Sequence, residues 1–319
     1  MVPPNYLRDV IGIIDSSRPF ISSIETAPLP ASGMKIFTPK LGAQATVALT
    51  AEGAEFSSTD TAVTFQEDTV VKFAGAIYLI YSLSVFFAVM FLLLPFFLLF
   101  SLLPSKISYP LLFSCIRLWS LITMTFIFIK IKTHKNPNWD KNKSYIYIGN
   151  HGSYLDAPAV ILSTPSIFKP LGKIEMVNFP VFGWIYKKVV IMVDRKNKES
   201  RATSVTALKA ELNAGMSILL FPEGTMNTTE MMLKDFYDGA FKISIETQTP
   251  IAPMLILNAK KMLPRKHPLM VSPGVLHVIC ADIIYPENYT MDDVETYKQA
   301  VFKEMNNQLL QFKSYEKNH

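Results

Sequence analysis

His151 and Asp156 stand five residues apart in Asn150-His151-Gly152-Ser153-Tyr154-Leu155-Asp156. A carboxylate at that spacing can fold back onto an imidazole, fix its tautomer and stabilise the imidazolium. An imidazole so held can take a proton from a hydroxyl, which contributes roughly 10²- to 10⁴-fold to a rate. The plainer reading is equally open on spacing alone: Asp156 caps a helix and His151 is a turn residue. A second group is Phe221-Pro222-Glu223-Gly224-Thr225. A turn with Gly and Thr offers backbone N–H groups and a hydroxyl to an anionic or hydroxyl-bearing ligand, or is an ordinary Pro-Glu-Gly turn. A third is Val193-Asp194-Arg195, where Arg195 either binds phosphate bidentately or forms a surface ion pair.

Each group ends a strand-like run. Tyr145-Ile146-Tyr147-Ile148-Gly149 precedes His151, Val189–Met192 precedes Asp194, and Ser217–Leu220 precedes Phe221. Strands are expected at Ser144–Gly149, Val189–Val193, Ser217–Phe221, Ile251–Leu257 and Val275–Ile284. Helices are expected at Ser200–Asn213, where Val205, Leu208 and Leu212 share a face, and at Asp292–Phe312. Strands interleaved with helices make residues 132–319 an α/β domain. Chemistry at strand ends is where such sheets place their sites.

Residues 76–103 contain no charged residue, enough to span a bilayer core even with a kink at Pro95. A second apolar run, Leu111–Ile129, is broken by Arg117. An unpaired Arg at mid-bilayer costs at least about 2.5 kcal/mol, so this run is expected to lie shallow, with Arg117 reaching toward headgroups. Lys130, Lys132, Lys135, Lys141 and Lys143 follow and mark the cytoplasmic side. Residues 1–75 carry five basic and eight acidic residues, and the remainder 26 and 18. The basic part suits an anionic membrane face or substrate. Nucleic acid is not expected, because no basic helix or zinc spacing is present. Cys115 and Cys280 have no metal-ligand spacing and suggest no disulfide framework. Ala62–Phe65 and Thr69–Phe73 alternate as short strands do, so residues 1–75 read as a strand- and turn-rich extension.

In order, the apolar pair, Asn-His-x4-Asp, the strand-end Asp-Arg, Phe-Pro-Glu-Gly-Thr and Pro250-Ile251-Ala252-Pro253 resemble the PlsC-type glycerolipid (1-acylglycerol-3-phosphate) acyltransferases. The likeness covers about residues 77–311 and includes Pro170-Leu171-Gly172-Lys173-Ile174-Glu175, Pro180–Trp184 and Gly239–Lys242. It implies a mixed α/β sheet flanked by helices behind a membrane helix pair, on the cytoplasmic face of the inner membrane. It implies that His151, oriented by Asp156, deprotonates the sn-2 hydroxyl of a lysolipid. That hydroxyl then attacks an acyl thioester on acyl carrier protein or coenzyme A. Glu223, Gly224 and Thr225 would hold the acceptor headgroup, and Arg195 and Lys173 its phosphate. No metal, resident cofactor or covalent acyl-enzyme is implied, and the chain has no Gly-x-Ser-x-Gly elbow.

Many members of that family carry Arg directly after Glu-Gly-Thr. Met226 stands there in this chain, which removes a bidentate phosphate donor and leaves another lysolipid, such as a lyso-aminolipid, open as acceptor. A non-catalytic lipid-binding protein is the alternative of a different class. Separately, the segments Ser17–Ile21 and Thr26–Pro30 resemble part of a tailed-phage major capsid protein.

Overall fold

The computed structural model describes residues 59–267, 269 and 271–318. The capsid-like segments lie outside the described residues. Two compact units divide between Gln66 and Glu67, and of the first only the start of a helix is described.

That helix, α1, runs Thr59–Ser101 with Pro95 inside it. The strands expected at Ala62–Phe65 and Thr69–Phe73 are therefore helical, and no element boundary falls at Gly75. β-branched residues in alternation are a weak prior for strand. Here they lie directly upstream of a long apolar helix and continue its turns. Helix α2, Ser105–Phe126, packs beside α1. Trp119 Nε1 donates to Phe86 O at 3.0 Å, and the Tyr81 hydroxyl donates to Phe126 O at 2.7 Å. Both helices are long and apolar enough to cross a membrane. They differ in surroundings. Large side chains of α1 such as Ile80, Leu92 and Leu99 are exposed, whereas α2 buries Tyr109, Leu112, Phe113 and Trp119.

A seven-stranded sheet follows. Its strands are β1 (Ile129–His134), β2 (Ile146–Gly149), β3 (Phe168–Lys173), β4 (Ile191–Val193), β5 (Ser217–Leu220), β6 (Ile251–Leu257) and β7 (Gly274–Cys280), in the order β1-β7-β6-β2-β5-β3-β4. All neighbours are parallel except β6 and β7. The fold is thus the mixed α/β sheet that the sequence leads one to expect. Strands β1 and β3 were not among those expected. Lysines interrupt the apolar pattern in both, and β3 also holds Pro170 and Gly172. Val189 closes a helix instead of opening β4, and Ala281–Ile284 is not strand beyond one bridge at Ile284.

Alternation along β2 divides two cores, because successive side chains point to opposite faces. Tyr145 and Tyr147 lie on the face covered by α1, α2, α3 (Asp156–Ser163) and α4 (Phe182–Val189). Ile146 and Ile148 lie on the face covered by α5 (Lys198–Asn213), α6 (Gly239–Thr247) and the last helix, α8 (Val294–Asn318). A short α7 spans Ala259–Met262. Helix α5 starts where the Asn197 side chain accepts from Ser200 N at 3.0 Å, a conventional N-cap.

Arg117 does not reach outward. Its Nε and Nη2 donate to Ile161 O (3.2 Å) and Thr164 O (2.8 Å), at the end of α3. A cation at a helix C-terminus satisfies carbonyls that lack intrahelical donors. This pins α2 onto the sheet domain, and it solves the problem of the buried charge without lipid headgroups.

Candidate active site

Strands β2 and β5 are parallel neighbours, with Ile148 opposite Leu220. Their carboxyl ends therefore deliver Asn150-His151 and Phe221-Pro222-Glu223 to the same place on the sheet edge. The Asn150 side chain ties the first segment to β6, donating to Ile256 O at 2.8 Å and accepting from Ile256 N at 2.7 Å. Gly149 allows Phe221 close to the strand, since an added Cβ would stand 3.3 Å from its ring.

His151 Nδ1 lies 2.8 Å from Asp156 Oδ2. The same oxygen accepts from Gly152 N (2.8 Å) and Ser153 N (2.9 Å). Asp156 is fully buried and is the first residue of α3, but Leu155 is the N-cap and no side chain caps the helix, so of the two readings the geometry matches the histidine-holding one. The carboxylate fixes Nδ1 as the protonated nitrogen and leaves Nε2 as the basic one. The imidazole stacks on the Phe221 ring, with centroids 4.2 Å apart and an interplanar angle of 18°. The histidine side chain keeps partial access to solvent, at 18%, so Nε2 can meet a substrate.

Glu223 is placed differently from the expectation. Its carboxylate is buried and directed inward. Oε1 accepts from His151 N at 2.8 Å, and Oε2 accepts from Lys234 N at 3.0 Å. Both oxygens face backbone donors, so Glu223 positions the histidine segment. Burial pushes its carboxyl above the ordinary value, opposed by these two amide bonds and by the charges of His151 and Lys234. Gly224 has φ +70°, and a Cβ there would meet the Tyr237 ring at 2.5 Å. Only glycine fits this turn without strain. Thr225 is exposed, and its hydroxyl accepts from Lys234 Nζ at 2.7 Å. Asn227 N donates to His151 O at 2.6 Å. The turn from 223 to 227 is thus bonded to both sides of residue 151.

Arg195 and Lys173 come to the same edge, because they end parallel strands β4 and β3, on the far side of β5. Arg195 is half-buried, and burial lowers its pKa against the opposing influence of Tyr186, Glu175 and Tyr237. Tyr237 lies against Gly224, which links Arg195 to the turn. Lys173 is exposed and makes no hydrogen bond to the turn among the described residues. Sequence reasoning did not identify Lys234. Its only signal was a lysine following Met231-Met232-Leu233 in the segment after Thr225.

Behind Phe221 an apolar cavity of about 290 Å³ lies between the sheet, α2, α3 and α4. Phe86, Phe113, Trp119, Ile161, Phe182 and Leu219 contribute walls. Phe221 lines the cavity, and its ring stacks on the imidazole of His151, so one side chain links the two. Among the described residues, no group of three or more His, Cys, Asp and Glu is placed to hold a metal ion.

Residues 130–257 match the family model described as Acyltransferase. A 1-acyl-sn-glycerol-3-phosphate acyltransferase of Cocos nucifera is 28% identical over 162 residues, covering 50% of this chain and 52% of that protein. An alpha-type enzyme of the same description from Mus musculus is 28% identical over 178 residues, covering 54% and 61%. This chain therefore spans about half to three fifths of the length of these curated relatives. The crystal structure of the 1-acyl-sn-glycerophosphate acyltransferase PlsC from Thermotoga maritima superposes with a TM-score of 0.61 at 18% identity, over 74% of this chain and 97% of that one. That similarity extends the shared fold beyond the matched segment. The ordered motifs lie within or beside residues 130–257, which match the Acyltransferase family model, and the sheet that presents them has the fold of that solved acyltransferase.

Proposed function

We propose that the chain transfers a fatty acyl group from an acyl thioester to the sn-2 hydroxyl of 1-acylglycerol-3-phosphate, giving phosphatidic acid. The observation that carries this is the 2.8 Å His151–Asp156 pair beside an apolar cavity with Phe221 as the shared wall. Relatives that share the domain are described as 1-acyl-sn-glycerol-3-phosphate acyltransferases.

In this reading the acceptor hydroxyl lies against Nε2 of His151. The imidazole takes its proton as the oxygen attacks the thioester carbonyl. Asp156 stabilises the imidazolium that forms. The tetrahedral adduct collapses, the C–S bond breaks, and the thiolate leaves with the proton from His151. No serine or cysteine nucleophile enters, and the reading needs no metal or resident cofactor. The cavity takes an acyl chain, which loses about 0.8 kcal/mol per CH₂ if drawn into water instead. Helices α1 and α2 hold the site at a membrane surface. The lysines after α2 favour the cytoplasmic face by the positive-inside rule. Acyl carrier protein or coenzyme A carries the donor from that side.

The test is product identification. Membranes containing the protein are given an isotopically labelled acyl thioester and a panel of lysolipids, including lysophosphatidic acid, lysophosphatidylcholine and a lyso-aminolipid. Labelled phosphatidic acid is expected by mass. Label in another lipid alone would reassign the acceptor, and label in none would end the enzyme reading.

A further inference from the structure

We propose that Lys234, held by Thr225, is the cation that contacts the acceptor's anionic headgroup and determines its specificity. The inference rests on the functional reading above and deepens it by assigning the charge that selects the substrate.

Lys234 is fixed at two points. Its backbone N–H donates to Glu223 Oε2 at 3.0 Å, and its ammonium donates to Thr225 Oγ1 at 2.7 Å. The turn that carries Thr225 is closed onto His151 from both sides, through Glu223 Oε1 to His151 N and through Asn227 N to His151 O. The ammonium is therefore held to the turn that is bonded to the backbone of His151. Lys169, Lys209, Lys242 and Lys298 each pair with a carboxylate. Lys234 forms no ion pair among the described residues; the Glu223 carboxyl feels its charge but directs both oxygens at backbone amides, so the ammonium stays available.

The donor count fits an anion. An ammonium has three hydrogens, and one is used on Thr225. Because Thr225 Oγ1 accepts from the lysine, its own O–H is directed elsewhere. The pair thus presents two N–H groups and one O–H to whatever enters. A phosphate monoester offers only acceptors over most of its surface and matches that set. An uncharged headgroup does not. Neighbouring groups are less suited. The Lys260 ammonium donates to Thr229 O, Arg195 is half-buried and sits at the end of β4 on the far side of β5, and Met226 carries no charge.

The experiment measures equilibrium binding of 1-acylglycerol-3-phosphate, and of the uncharged 1-acylglycerol with the same chain, to the full-length protein in detergent without acyl donor. Wild type is expected to prefer the phosphate-bearing ligand. Lys234→Ala is expected to weaken that ligand about tenfold or more, the scale of a lost charge-assisted hydrogen bond, and to leave the uncharged one unchanged. Lys234→Arg retains the preference. Lys261→Ala, which removes an exposed like charge elsewhere, changes neither. Equal weakening of both ligands by Lys234→Ala would mean a structural role and overturn the proposal, as would no weakening or no preference in wild type. Turnover of the same preparations with an acyl thioester separates the two readings. Lys234-dependent binding without transfer would remove the enzyme reading alone, and transfer indifferent to Lys234→Ala would remove this inference alone.

Discussion

At the scale of single residues, the site is one imidazole with its tautomer fixed and its backbone clamped. Asp156→Asn replaces an acceptor with a group that can donate to His151, so the wrong ring nitrogen becomes basic. Acyl transfer should fall by about 10²- to 10⁴-fold with membrane association unchanged, read by initial rates and sedimentation with vesicles. Glu223 acts one layer below. Glu223→Ala leaves the amides of His151 and Lys234 without acceptors, at about 1–3 kcal/mol each, so denaturant midpoints should fall together with activity. Its ionisation also carries a sign. Burial raises its pKa in the folded chain above the ordinary 4.5. The stabilising contribution of the protonated form is complete below 4.5 and is lost as pH rises through the folded value. The stability margin of wild type over Glu223→Gln should therefore narrow as pH rises from 4 to 7; a margin that widens would refute the burial argument. His151 and Asp156 were legible in the sequence because the carboxylate that holds the ring is only five residues away. The inward placement of Glu223 was not legible because its partners are backbone amides, which a sequence does not display. Lys234 was missed because its tether to Thr225 depends on how the loop folds.

At the scale of elements, parallel pairing does the assembling. The expected strands Ser144–Gly149 and Ile251–Leu257 were readable from continuous apolar runs, as befits strands buried on both faces. Strands β1 and β3 were not, since sheet context and not local pattern makes residues such as Lys130, Lys132 and Pro170 extended. Arg117 shows the same limit. Its mid-helix position predicted a charge reaching toward headgroups, while its actual acceptors lie at the end of α3, 44 and 47 residues away. Arg117→Leu should destabilise the domain by about 1–3 kcal/mol, because the carbonyls of Ile161 and Thr164 lose their donors. Chemical denaturation would measure this, and an unchanged midpoint would remove the pinning role from the arginine. The cavity wall offers a second test. Ile116 lines the cavity on α2, and Ile116→Trp should shift the preferred acyl chain to a shorter one in a competition between chain lengths. An unchanged preference would mean that the chain lies elsewhere.

At the scale of the whole molecule, the proposed function makes the helix pair and the sheet domain one device for amphiphiles. The sheet carries the base, and α2 forms both an apolar helix and a wall of the cavity beside that base. Every site residue belongs to the unit that starts at Glu67. A chain beginning there should retain acyl transfer within about threefold, a change of under 1 kcal/mol in barrier. A folded but inactive truncation would assign residues 1–66 a part in function. The apolar segment was plain from composition. That its first helix begins as early as Thr59 was not, because polar and β-branched residues precede the hydrophobic run.

The most direct test of the central claim uses purified wild type and His151→Ala with lysophosphatidic acid and an acyl thioester. Released thiol and new phosphatidic acid are counted in the same tube. Wild type should yield the two in equal amounts, with no thiol released when the acceptor is omitted and no acyl adduct on the protein. His151→Ala should form product at least about 10²-fold more slowly. Product formation by His151→Ala at the wild-type rate would contradict the account.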